Sequence, residues 1–137
     1  MITKRRSAEL GQDLIEYAIT LPLFMLIIFG VLDLGRGIFY FSAMYQGARD
    51  GARYGSVHPE APPEEVVAQV EHWLIGLDPS LWAIDTGCST GTTSCVNVKY
   101  TFRAVTPVIG RFLLDENGVD GQLTLNTRST MPLEYIP

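Results

Sequence analysis

A chain of 137 residues has room for one small domain and an appendage, and its surface-to-volume ratio leaves little scope for an active-site cleft within a sizeable core. The net charge of -5 hides an asymmetry: Lys4, Arg5 and Arg6 crowd the first six residues, whereas the segment after Gly55 carries many more acids than bases. That distribution argues against nucleic-acid binding, and the clustering of apolar residues near the N terminus means that the average composition describes neither half of the chain.

The first element runs from Leu14 to Leu32, LIEYAITLPLFMLIIFGVL, 19 residues with Glu16 as the single charge. As a helix it is long enough to cross roughly 30 Å of hydrocarbon. Basic residues on its N-terminal side place Met1 to Leu10 in the cytoplasm and everything after Leu32 outside, a single-pass arrangement in the cell membrane with an exported C-terminal part. A cleaved secretory signal is the weaker reading, because the apolar run exceeds a usual signal core and no small-x-small cleavage site follows it. By composition alone the block is a plain anchor. Three features sharpen it: Gly11 ends the basic leader, Glu16 stands inside the apolar run, and Tyr17 follows, so the stretch reads G-QDLI-EY. A carboxylate one turn into a membrane span is costly and calls for a named partner.

This motif resembles the processing site of Tad-type prepilins, in which a membrane-embedded aspartic prepilin peptidase cuts after the glycine. The resemblance implies a leader of residues 1–11, cleavage between Gly11 and Gln12, and a mature chain with Glu16 as its fifth residue. It further implies that Glu16 pairs with the new N-terminal amine of a neighbouring subunit, which neutralises both charges in an apolar filament core. The following stretch, with Leu21-Pro22, Gly30, Asp33-Leu34-Gly35-Arg36 and Ala48-Arg49-Asp50-Gly51-Ala52-Arg53-Tyr54, is similar to the TadE-like family across Gly11 to Val57. Asp50 departs from the glutamate more usual there and keeps the acidity. Membership would imply a minor pilin or pseudopilin of a Tad (Flp) type IV pilus that supports pilus biogenesis and surface adhesion. Its partners would be the inner membrane, the prepilin peptidase, other pilin subunits and the Tad assembly platform. Its site would be the cell membrane, the pilus or the cell surface. Major Flp pilins are far shorter chains, so this length fits the minor class.

Pro22 lacks an amide hydrogen and is expected to loosen the helix around Ala18 to Leu21. Beyond the span (12–33), Leu34, Ile38, Phe41 and Tyr45 recur at three- to four-residue steps, so the helix is expected to continue to about Tyr54 through an exported half (34–57). At about 1.5 Å per residue it would reach roughly 60 Å, twice a bilayer, and its outer half must bury one face against the exported domain and another against neighbouring subunits. Asp33 and Arg36 form a helical i,i+3 pair at the outer boundary, either a simple ion pair or a filament contact. Ala43, Gly47, Gly51 and Gly55 form a smooth stripe for close packing, against the chain's own sheet or a sister helix. Arg49 and Arg53 project from a neighbouring stripe, as solvated or intramolecular charges or as bridges between subunits.

Residues 58–137 read as a small α+β head. After His58 to Pro63, a second helix is expected from about Pro63 to Leu77, with Val66, Val67, Val70, Trp73, Leu74 and Leu77 on its apolar face. Cys88 and Cys95 bracket a polar loop in an oxidising location, so a disulfide is expected and a zinc site is the poorer reading. Val96, Val98, Tyr100 and Phe102 alternate with polar residues as a strand, and Leu123, Leu125, Thr127 and Ser129 as another. Between them, Pro107 to Leu114 reads as a short helix or apolar excursion, and Asp115-Glu116-Asn117-Gly118 as a turn. Two strands are not a stable sheet, so they should lie on the long helix, with a third strand near Leu81 to Asp85. The fold expected is α+β and type IV pilin-like, a long N-terminal helix packed on a small antiparallel sheet.

No nucleophile elbow, phosphate loop or carboxylate pair stands out, so the expectation is no enzyme, no cofactor and no metal. Three readings remain open: a pilin cleaved after Gly11 and assembled through its helix, an adhesin on an uncleaved anchor, and a membrane-retained assembly factor outside the filament.

Overall fold

The computed structural model describes residues 3–106 and 122–134, with side chains from Gln12 onward. The segment Pro107 to Leu114 and the turn at Asp115-Glu116-Asn117-Gly118 lie outside the described residues. Helix α1 is Thr3–Val57, 55 residues and therefore about 80 Å long. It is longer than the pattern from Leu14 to Tyr54 required, because no strong helix breaker interrupts the flanking residues. Helical pairing also continues on both sides of Pro22, which removes one amide donor from a long ladder without ending it. The helix closes with the His58 amide bonded to the Tyr54 carbonyl at 3.0 Å, and Pro59 follows, where no further amide is available.

The second helix, α2, is Pro63–Glu71, shorter than the span to Leu77 expected from its apolar pattern. Pro63 at its first turn and Glu64 and Glu65 beside the orphan amides suit the start. Past Glu71 the chain tightens into i to i+3 turns, Trp73 to Val70 and Leu74 to Glu71 at 3.0 Å each, and Gly76 takes a left-handed φ of 84°. Leu74 and Leu77 are nonetheless buried, as the pattern required, because three-residue spacing serves such turns as well as a helix. A 3-10 turn at Pro79–Leu81, capped by the Asp78 carboxylate on the Ser80 amide, leads into β1 (Trp82–Asp85).

Strands β2 (Thr93–Arg103) and β3 (Gln122–Pro132) complete a three-stranded antiparallel sheet in the order β1-β2-β3. The register sets Trp82 opposite Tyr100, Val98 opposite Thr127 and Phe102 opposite Leu123. From Val96 onward β2 alternates, with Val96, Val98, Tyr100 and Phe102 buried and Lys99 and Arg103 exposed. The core forms where this face and the Val66 and Val70 side of α2 meet Met44, Ala48 and Ala52 of α1, all three fully buried. At the far end the Glu134 amide bonds to the Ser56 carbonyl at 3.0 Å, tying the chain beyond β3 to the top of α1. The Cys88–Cys95 disulfide is formed, with Cα atoms 5.4 Å apart, and closes the loop between β1 and β2. By loop-closure entropy so short a ring contributes on the order of 2 to 3 kcal/mol.

Candidate assembly interface

Helix α1 presents two longitudinal faces. The inner face, at Asp33, Gly37, Tyr40, Met44, Ala48, Gly51, Ala52 and Gly55, follows three- and four-residue steps and is covered by the head from its upper end down to Asp33. The small-residue stripe belongs here. A methyl placed on Gly47 would stand 3.1 Å from the Val70 carbonyl, and one on Gly51 would stand 2.5 Å from Val70 Cγ2 and 3.5 Å from Val96 Cγ2. Gly55 faces Ser94 and Val66, and Ala43 is half-buried beside the core. Of the two partners the stripe could have served, the chain's own α2 and β2 occupy it.

At the lower edge of the head the Asp33 carboxylate, 5% exposed, accepts hydrogen bonds from the Val105 amide at 3.0 Å and the Thr106 amide at 2.8 Å. The predicted Asp33–Arg36 pair is present at 3.6 Å, with the Arg36 side chain 43% exposed. Arg36 also donates to the Tyr40 hydroxyl at 3.3 Å and lies over the Tyr40 and Phe102 rings, 5.6 and 5.9 Å from their centroids. Tyr40 in turn meets Tyr100 and Phe102 edge-on. Asp33 therefore pins the end of β2 to the helix at the point where the apolar span ends. The i,i+3 spacing gave no hint of this role, since its partners lie 72 and 73 residues away.

The outer face runs through Leu34, Ile38, Phe41 and Tyr45, which are 65%, 59%, 46% and 48% exposed, and continues downward into Val31 and the apolar residues of the span. The periodicity that marked these four residues as helical thus marks the side away from the head. Gln12, Glu16, Tyr17 and Pro22 are exposed as well, while Gly11 lies in helical backbone and its surroundings fall outside the described residues. Higher up, the outer face turns basic at Arg49 and Arg53, both exposed. These two line a shallow recess of about 190 Å³ with Gln46, Asp50 and Trp73. The Trp73 indole N–H donates to Asp50 Oδ2 at 3.2 Å, so the half-exposed ring is fixed as one wall.

Two further contacts are local to the head, one at its upper end and one at the turn before β1. The Tyr54 hydroxyl donates to Glu65 Oε2 at 2.9 Å, and that carboxylate raises the Tyr54 pKa above its ordinary value. The Ser80 amide and hydroxyl hold the Asp78 carboxyl below the usual carboxylate range.

The residues from Gln12 to Val57 form a helix long and apolar enough to cross a membrane, nearly all of its apolar stretch uncovered by the rest of the chain. Residues 11–53 match the family model of the TadE-like protein. The chain carries a TadE-like domain. The match supports a link with the Tad pilus, and the long helix fits a membrane anchor. The TadE-like match covers most of α1 and none of the sheet, so the head is distinct from the recognised segment. No curated protein and no solved structure matches the chain significantly.

Proposed function

We propose that this TadE-like protein is a minor pilin or pseudopilin with no catalytic role, cleaved after Gly11 by a prepilin peptidase and assembled through α1. Before assembly the span would lie in the inner membrane with the N terminus in the cytoplasm and the head exported. Incorporated with other pilin subunits at the Tad assembly platform, it would support pilus biogenesis and surface adhesion.

The observation that carries this reading is the outer face of α1. A bilayer accounts for about 20 helical residues, yet the exposed apolar stripe continues beyond the span through Ile38 and Phe41 to Tyr45. Large apolar side chains in water, on a flank of the helix that the chain's own head leaves uncovered, call for a cover from outside the chain. A packed array of such helices supplies one, and a lone anchor does not. Glu16, exposed inside the apolar span, requires a cation for the same reason, and a freed amine on an adjoining subunit is a fitting one.

Intact mass of the protein from cells with and without the peptidase tests the reading. The expected result is a loss matching Met1 to Gly11 only where the peptidase is present, with Glu16→Ala processed but absent from sheared filaments. A full-length mass in both backgrounds would overturn the pilin assignment in favour of an uncleaved membrane-anchored adhesin or assembly factor.

A further inference from the structure

The outer face changes character above Tyr45. Arg49 and Arg53, one helical turn apart, are exposed and have no carboxylate within 4 Å among the described residues. The nearest acid in sequence, Asp50, is already engaged by the Trp73 indole. Two guanidiniums beside a fixed indole wall form a recess suited to a carboxylate carried on a partly apolar surface, since planar donors grip carboxylates and an aromatic wall desolvates the pair.

The same head offers such a surface on its other side. In α2, Val66 and Val70 face the core, which turns Glu64, Ala68 and Glu71 outward on one exposed stripe. Glu65, between them, is used internally by Tyr54, whereas Glu64 and Glu71 have no cationic partner among the described residues. The chain therefore displays a basic recess on α1 and an acidic stripe on α2 that form no ion pair with each other among the described residues. A surface complementary to a different surface of the same molecule makes a head-to-tail contact, the kind that propagates into open filaments.

We infer that the Arg49–Arg53 recess of one copy receives the Glu64–Glu71 stripe of a second copy, and that this contact sets the register of neighbouring heads. The inference rests on the assembly reading above and deepens it. Tyr45, Arg49 and Arg53 follow at four-residue steps, so helix packing below and charge pairing above would act on adjoining surfaces. Apolar contact would supply cohesion, and the charge pairs orientation, because charge complementarity contributes more to specificity than to affinity.

Two differently tagged full-length copies, co-expressed in membranes and solubilised in mild detergent, provide the test. The wild-type copies are expected to co-purify, and Arg49→Glu with Arg53→Glu in both copies to reduce recovery about tenfold. Adding Glu64→Arg and Glu71→Arg to both arginine-reversed copies rebuilds the opposite-charge contact with its signs exchanged and should restore recovery. Recovery indifferent to the arginine reversals, or reduced but not restored by the complementary pair, would overturn the inference. Glu16→Ala separates the two levels. Wild-type copies that co-purify through Glu16 but ignore the arginines leave the pilin reading standing and remove this one, whereas copies that never co-purify remove both.

Discussion

The two halves of α1 are continuous in backbone and opposite in circumstance. From Gln12 to about Leu32 almost every side chain is exposed, whereas from Tyr40 to Val57 one face lies beneath α2 and the sheet and carries fully buried Met44, Ala48 and Ala52. The difference lies in where the cover comes from. The upper half has its partner in the same chain and is shaped to it by small residues. The lower half carries mostly bulky apolar side chains, and just above it Gly35 has nothing within 4 Å of where a methyl would stand. Small residues matched to a specific neighbour mark an internal interface. Large apolar residues without one mark a surface whose partner is lipid or another molecule.

The comparison breaks most severely at the centre of the internal interface. Met44→Ala removes a fully buried side chain between the sheet and α2 and should cost about 2 to 5 kcal/mol, seen as a lowered thermal midpoint of the full chain in detergent micelles. The equally apolar Leu23, 61% exposed, should show little change in the same assay when replaced by alanine. Comparable losses at both positions would show that the span is packed internally after all.

The next effect is at the boundary between the halves. Asp33→Ala strips the acceptor from two amides and should cost on the order of 1 to 3 kcal/mol, with faster hydrogen exchange at Val105 and Thr106. Asp33→Asn keeps one carbonyl oxygen and should lie between the two. If Arg36→Ala, which also removes the contacts with Tyr40 and Phe102, matched Asp33→Ala, the Arg36 cluster rather than the amide contact would be what holds the head.

Local patterns in the sequence reached as far as local physics extends. The alternation in β2 announced a strand with one buried face, and Val96, Val98, Tyr100 and Phe102 are that face. The short strand β1, the disulfide and the glycine stripe were legible for similar reasons, since each is defined by neighbours in sequence. Three other features were not. The Asp33 contact joins residues 72 and 73 positions apart, and no periodicity encodes it. The end of α2 at Glu71 was hidden because Leu74 and Leu77 keep a spacing that tight turns share with a helix. Most instructive is the stripe at Leu34, Ile38, Phe41 and Tyr45. Its strong apolar period correctly signals a helix, but a pattern cannot say whether its cover is the same chain or another, and these four residues face outward.

The smallest expected effect separates uncovered from covered backbone of α1 by sign rather than size. In a helix, glycine costs up to about 1 kcal/mol relative to alanine, so Gly→Ala is favourable wherever the methyl finds room. At Gly35 nothing stands within 4 Å of the added carbon, and Gly35→Ala should raise the thermal midpoint by the equivalent of up to about 1 kcal/mol. At Gly51 the same carbon would stand 2.5 Å from Val70 Cγ2, a stiff β-branched side chain backed by the Val66 carbonyl at 3.4 Å and Val96. Relief requires α2 to move off the helix, a strain of about 1 to 3 kcal/mol that outweighs the backbone gain and lowers the midpoint. Shifts of the same sign at both positions would mean that α2 yields freely to α1, and the stripe would then be open to a sister helix instead.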